Sequence, residues 1–98
     1  MNFEEQCYEL LKKIPEGKVT TYKHLAKALG SNGARAVGNA CRKNPNAPQV
    51  PCHRVVKSDG MLGGYAFGVD QKARLLRKEG IAVSDKLRVN LEEYLFEF

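Results

Sequence analysis

The chain has 98 residues, a net charge of +5, 43% hydrophobic residues and 28% charged residues. This length suffices for one small domain, so we expect residues 1–98 to form a single domain without a separate cofactor-binding unit. The composition is typical of a globular protein. No apolar run approaches the roughly 20 residues that cross a bilayer, and the acidic N-terminus lacks the layout of a signal peptide. We therefore expect a soluble protein inside the cell.

Charge is unevenly distributed along the chain. Between Glu16 and Asp59 all charged residues are basic, namely Lys18, Lys23, Lys27, Arg35, Arg42, Lys43, Arg54 and Lys57. After residue 80 acidic side chains predominate. An acid-free basic stretch is typical of a surface that binds a polyanion, most simply nucleic acid, although solvated surface lysines give the same pattern.

The three cysteines, Cys7, Cys41 and Cys52, are odd in number, which argues against a disulfide framework. The only histidines are His24 and His53, and no paired metal-ligand spacing occurs. We therefore expect no metal and no cofactor.

Two helices are predicted in the N-terminal part. Apolar residues at positions 3, 7, 10, 11 and 14 form one helical stripe, which places Cys7 in the core. The second helix is capped by Thr20 or Thr21 and runs through Leu29, with Gly30 as its C-terminal stop.

A third helix is predicted from a cap at Ser31 or Asn32 to about Lys43, with Cys41 on its packing face. The second and third helices together resemble a helix-turn-helix, a pattern that many other helical hairpins share.

The C-terminal half opens with three prolines in residues 44–51, a segment that can be neither a helix nor a central strand. Residues 55–57 and 61–62 predict a small hairpin around a turn at 58–60. Residues 69–79 predict a basic amphipathic helix with Leu75 and Leu76 inward, ended by Gly80.

Cys52 has a different setting from the other two thiols. It follows the stiff proline segment and precedes His53 and Arg54. Positive neighbours lower the pKa of a thiol, and the thiolate is the nucleophile. The Cys-His pair alone is weak evidence, because adjacent side chains often diverge.

The longer string Pro-Cys-His-Arg-Val-Val at residues 51–56 resembles the active-site signature of the O6-alkylguanine-DNA alkyltransferases, in their C-terminal catalytic and DNA-binding domain. Further colinear similarities occur at residues 21–22, 35–40, 44–45, 63–65 and 75–80. The resemblance implies a mainly α fold with a small β-hairpin, a winged-helix-like helix-turn-helix domain.

The resemblance also implies a reaction. Cys52 would accept the alkyl group from guanine O6, or from O4-alkylthymine as a further candidate, in one irreversible turnover. His53 would take the thiol proton through a water, and Glu79 would orient His53. Tyr22 would donate a proton or a hydrogen bond to guanine N3. Judged by spacing alone, Glu79 is a helix-end surface carboxylate and Tyr22 a packing residue.

The same resemblance implies which residues contact the DNA and the alkylated base. Arg35 would fill the stack after the damaged base is flipped out, which in-line attack on the alkyl carbon requires. Its helix would enter the minor groove of double-stranded DNA, with the contacts Ala36, Gly38 and Arg42. The pocket for the alkylated guanine would be formed by Val55, Tyr65 and Ala66, with the backbone carbonyls of Cys52 and Val55 accepting from the exocyclic amine. Asn44 would tie the third helix to the reactive loop as a structural hinge.

Departures from the family pattern concern the pocket and the length. Ala66 stands where many relatives have a serine that contacts O6, and Ala47 where some have a proline. Phe67 replaces a small residue of some members. We expect the family's usual N-terminal domain to be absent, so that the sequence is either a minimal catalytic domain or a fragment of a longer protein. We expect a monomer in the cytoplasm, associated with the nucleoid, or in the nucleus of a eukaryote.

Two other functions are considered. Alkyltransferase-like proteins bind damaged bases without transfer and replace the cysteine, commonly with tryptophan, whereas this chain has Cys52 and no tryptophan. A transcriptional helix-turn-helix domain explains the basic stretch but not the motif at 51–56.

Overall fold

Capping residues set where the helices begin. The computed structural model describes residues 1–30 and 33–98. Asn2 accepts a hydrogen bond from the backbone N–H of Glu5, and Thr21 accepts one from that of His24. The helices are α1 Phe3–Leu11, α2 Tyr22–Ala28, α3 Ala34–Arg42, α4 Val69–Lys78 and α5 Leu91–Tyr94. In the described part of the chain, no helix is long and apolar enough to cross a membrane.

The observed helix ends differ slightly from the predicted ones. The helix α1 stops at Leu11 because the backbone tightens there, with the N–H of Ile14 donating to the carbonyl of Leu11. Ile14 is nevertheless buried, so the predicted apolar stripe packs as a unit. The N-cap of α3 is Gly33, and the predicted caps Ser31 and Asn32 lie outside the described residues.

A two-stranded sheet joins the two halves of the chain. Strand β1, Thr20–Thr21, pairs in parallel with strand β2, Val55–Val56. The expected mainly helical fold with a small β element is confirmed, but the strand pair is not the predicted hairpin. All four residues of the two strands are buried, so the sheet lies inside the core. Met61 instead bridges to Arg88 near the C-terminus.

The β2 strand lies between two groups of buried side chains. Val55 packs in a cluster with Cys7 and Cys41, which fulfil the predicted packing role. Val56 packs in a second cluster with Leu76 from α4. The sheet is therefore the junction between the α1–α3 region and the C-terminal region.

The face that α4 buries differs from the prediction. Leu76 is fully buried as expected, whereas Leu75 is only half-buried. The buried positions beside Leu76 are Ala73 and Lys72, and Lys72 is 0% exposed. An ammonium group in this position must find acceptors inside the protein.

The turn at Gly60 gives a prediction about stability. Gly60 has φ +89, and a Cβ there would lie 2.5 Å from the carbonyl oxygen of Val89. We expect Gly60→Ala to lower the free energy of unfolding by about 1–3 kcal/mol. Urea denaturation monitored by circular dichroism measures the change.

The matched control is Gly38→Ala. Gly38 lies within α3, and a Cβ there meets nothing within 4 Å. Alanine should raise the free energy of unfolding by about 0.5–1 kcal/mol, since it favours a helix more than glycine does. Equal effects of the two substitutions would contradict the account of the turn.

Candidate active site

A cavity of about 720 Å³ opens between α3, the start of α2, and residues 52–66. This volume is typical of a small-molecule pocket. The predicted site residues in its wall are Tyr22, Arg35, Gly38, Arg42, Cys52, Tyr65 and Ala66. The other wall residues were not predicted as site residues from the sequence; they are Asn39, Cys41, Lys57, Gly63 and Gly64. No carboxylate is among these described wall residues.

Five predicted site residues lie outside the wall. Ala36 is exposed beside the N-terminal end of α1, and Val55 is completely buried in the core. His53 and Glu79 lie behind the wall, with side chains 1% and 12% exposed. Asn44 follows the end of α3.

Asn44 connects the end of α3 to the segment before Cys52. Its Nδ2 donates to the carbonyl of Val50 at 2.7 Å, and its Oδ1 accepts from the N–H of Asn46 at 3.0 Å. The Asn44 side chain also acts on Cys52, whose thiol pKa it lowers. The backbone N–H of Cys52 donates to Val50 at 2.9 Å, and a 3₁₀ turn, Cys52–Arg54, follows. Cys52 is thereby fixed in the cavity wall with 4% of its surface exposed.

Glu79 directly follows α4 and joins the two residues after Cys52. His53 Nε2 lies 2.9 Å from Glu79 Oε2. Arg54 donates to both carboxylate oxygens, at 2.9 and 2.8 Å, and to the carbonyl of Ile14 at 2.7 Å. Arg54 was expected among the surface bases, whereas its side chain is only 15% exposed. The position of Arg54 directly after the Cys-His pair was the feature of the sequence that could have indicated its contact with Glu79.

The predicted lowering of the Cys52 pKa is wrong. Burial raises the pKa of the thiol, and the hydrogen bond from Asn44 and the charge of Lys72 offset this only in part. The positive residues next to Cys52 in the sequence had suggested a lower pKa. However, Arg54 is engaged with Glu79, and His53 is not a cation at neutral pH.

His53 stays neutral because burial lowers its pKa, although the hydrogen bond to Glu79 acts in the opposite direction. Burial raises the pKa of Glu79, but hydrogen bonds from Arg54 and His53 more than offset this, so Glu79 is ionised. A carboxylate can only accept, so the neutral ring carries its proton on Nε2. Its Nδ1 is buried and has no hydrogen-bond partner among the described residues, and so retains a free lone pair.

Lys72 lies beneath the cavity and was not predicted. Its Nζ donates to the carbonyl of Leu62 at 2.6 Å, to that of Gly64 at 3.2 Å and to Tyr22 Oη at 3.4 Å. Burial lowers the pKa of Lys72 to about 8 and raises the pKa of Tyr22. At neutral pH, a protonated tyrosine therefore meets a mostly charged lysine.

Comparison with known proteins decides the family. The family described as "6-O-methylguanine DNA methyltransferase, DNA binding domain" matches residues 2–81. This chain belongs to that family. A bifunctional methyltransferase/endonuclease of Picrophilus torridus is 48% identical over 90 residues, which are 91% of this chain and 30% of that protein. The chain spans less than two thirds of such curated methyltransferase-family relatives.

Solved structures of the family agree in fold. Atl1 of S. pombe, in complex with damaged DNA containing O6-carboxymethylguanine, has a TM-score of 0.89 and 30% identity, with 98% of this chain and 95% of that chain covered. The O6-methylguanine-DNA methyltransferase of Pyrococcus kodakaraensis KOD1 has a TM-score of 0.77 and 48% identity. That alignment covers 83% of this chain and 47% of the other.

The raised pKa of Cys52 predicts slow reaction with small electrophiles at neutral pH. We expect carboxamidomethylation of Cys52 by iodoacetamide to accelerate from about pH 7 to pH 9 without a plateau, since only the thiolate reacts. Peptide mass mapping separates Cys52 from Cys7 and Cys41. Asn44→Ala should slow the reaction further at each pH, and a plateau already at neutral pH would contradict the assignment.

The His53–Glu79 contact predicts a second titration result. Because Glu79 raises the pKa of His53 against the effect of burial, Glu79→Gln should lower that pKa further. NMR titration of the imidazole carbon-bound protons measures it, with the signal of His24 as the internal reference. An unchanged His53 titration would show that the carboxylate does not act on the ring.

Proposed function

We propose that this chain is a catalytic and DNA-binding domain that transfers an alkyl group, chiefly methyl, from guanine O6 in DNA to Cys52, once per molecule. The observation that carries the proposal is the position of Cys52 in the wall of a cavity that also contains Arg35, Tyr22 and Tyr65. The buried His53–Glu79 pair next to it supports the same reading. The proposed class is methylated-DNA–protein-cysteine S-methyltransferase.

The target base has to leave the duplex to reach Cys52. Cys52 is 4% exposed, so a stacked base cannot approach its thiol in line. Arg35 is exposed on α3 and lines the same cavity, which suits it to fill the space that the base leaves. Gly38 lies on the same helix, and because it has no side chain, DNA can approach the helix closely there. Double-stranded DNA contacting α3 through its minor groove is the arrangement that we propose for a monomer.

The transfer step starts from two neutral groups. The Cys52 sulfur attacks the alkyl carbon, the S–C bond forms, and the C–O6 bond breaks with its electron pair passing to guanine. The thiol proton moves to His53 Nδ1 through a water, and the resulting imidazolium is stabilised by Glu79 Oε2, 2.9 Å from Nε2. The product thioether is stable, so the protein acts once.

The departing guanine gains negative charge that a proton can neutralise. Tyr22 lines the cavity and keeps its proton because burial raises its pKa. In the proposed step it donates that proton to guanine N3. Lys72, with Nζ 3.4 Å from Tyr22 Oη, stabilises the phenolate that forms. Lys72 thus acts through Tyr22 as a positioning residue.

The other pocket residues bear on how the guanine is bound and on how large an alkyl group fits. Tyr65 and Ala66 line the cavity, and the side chain of Ala66 offers no hydrogen bond to O6. Ala47, Pro48 and Phe67 line an adjoining hollow with Tyr65. The backbone carbonyls of Cys52 and Val55 are proposed to accept from the exocyclic amine of guanine.

The direct test is intact-mass analysis after incubation with duplex DNA that contains one O6-methylguanine. We expect the protein to gain the mass of one methyl group, located on Cys52 by peptide mapping. Cys52→Ser should abolish the gain while DNA affinity stays within about twofold, because the substitution leaves the phosphate contacts intact. No transfer by the reduced wild-type protein would refute the proposal.

The proposed role of Arg35 gives a different prediction. Arg35→Ala should slow transfer from duplex DNA by about tenfold or more, yet leave reaction with free O6-methylguanine within about twofold, because the free base needs no extrusion. Single-turnover rates on both substrates measure this, with Lys12→Ala as a control remote from the cavity. Equal losses on both substrates would remove the extrusion role.

A damage-binding module without transfer is the second candidate. It is suggested by the match to Atl1 over nearly the whole chain, since that structure contains damaged DNA. The thiol of Cys52 in the cavity favours transfer over binding alone. Tight, reversible binding of alkylated DNA with unmodified Cys52 would establish the module instead.

A further inference from the structure

We propose that Lys57 binds a backbone phosphate next to the extruded nucleotide and so positions the alkylated base against Cys52. This inference rests on the proposed function. Lys57 lies in the turn that follows β2, and its side chain lines the same cavity as Cys52. From the sequence, Lys57 was only one of the residues of the basic stretch.

The backbone around Lys57 is held in place. Its N–H donates to the carbonyl of Met61 at 2.8 Å, and its carbonyl accepts from the N–H of Gly60 at 2.9 Å. These bonds close a tight turn directly after the buried β2 strand. The Cα of Lys57 is therefore fixed relative to the cavity.

The stem of the side chain lies against Gly63. A Cβ on Gly63 would come within 3.3 Å of Lys57 Cγ and 3.6 Å of the Tyr22 ring and hydroxyl. The absence of a side chain at Gly63 thus lets Lys57 lie along the rim next to Tyr22. A stem packed in this way loses less conformational freedom when its ammonium group binds a ligand.

The ammonium group is free for an anion. Lys57 is exposed, and it takes part in no ion pair among the described residues. The other cations of the wall, Arg35 and Arg42, come from α3, and Arg42 donates to the side chain of Asn39. Lys57 is thus the cation that the segment after Cys52 contributes to the wall.

A phosphate is the anion that this position fits. When a base occupies the cavity, its sugar and flanking phosphates stay at the mouth, because they remain joined to the DNA strand. Cys52 is 4% exposed whereas Lys57 is exposed, so the lysine lies at the mouth and the thiol in the interior. A lysine contacts phosphate as a point charge, without reading sequence.

The experiment compares Lys57→Gln, Lys57→Arg and the control Lys78→Gln in single-turnover transfer from a duplex with one O6-methylguanine. Lys78 is an exposed lysine of α4 outside the cavity wall. We expect Lys57→Gln to slow transfer about tenfold, since a charge-assisted hydrogen bond is lost. Lys57→Arg should recover most of the rate, and Lys78→Gln should lie within about twofold of wild type.

Two further substrates separate a phosphate contact from other roles. With free O6-methylguanine, which has no phosphate, Lys57→Gln should react like wild type. A duplex with an uncharged methylphosphonate at one of the two flanking positions should slow wild type but cause no additional loss in Lys57→Gln, as in a double-mutant cycle.

The outcomes distinguish this inference from the proposed function. No transfer by wild type from the duplex refutes the proposed function. Transfer by wild type with Lys57→Gln equal to Lys78→Gln overturns only the role of Lys57. A similar loss on the free base, or additive losses at both methylphosphonate positions, also overturns the phosphate contact.

Discussion

The carboxylate of Glu79 is the group on which the arrangement around Cys52 depends. It accepts from His53 and twice from Arg54, and Arg54 also holds the carbonyl of Ile14. Glu79 and Arg54 together thereby connect the end of α4, the 3₁₀ turn and the segment after α1. The 3₁₀ turn contains Cys52. The position of Cys52 in the fold is therefore set by the ionic contact between Arg54 and Glu79 as well as by apolar packing.

Burial shifts the pKa values of four groups in and around the cavity, in different directions. It raises the pKa of Cys52 and Tyr22, and lowers that of His53 and Lys72. The resting site therefore contains a thiol and a neutral imidazole rather than a preformed ion pair. In the proposed reaction, charge separates only when substrate is present, at the moment when Glu79 and Lys72 can stabilise it.

Much of the fold follows from local sequence signals. Thr21 caps α2 and Gly80 follows α4 because capping depends on a few neighbouring residues. The partner of β2 was missed, since pairing with β1 depends on how the two halves pack. The resemblance to the family identified seven residues that line the cavity. It did not reveal the burial of Lys72 or Arg54, because lysines and arginines usually lie at the surface.

The burial of Cys52, whose thiol is protonated, has a further consequence for the lifetime of the protein. Peroxides oxidise thiolates far faster than thiols, and oxidation also requires access to the sulfur. In the proposed reaction each molecule acts once, so a molecule whose Cys52 sulfur is oxidised before it meets alkylated DNA can no longer react. In that reaction, the burial of Cys52 both delays deprotonation until the attack and protects the sulfur from oxidation.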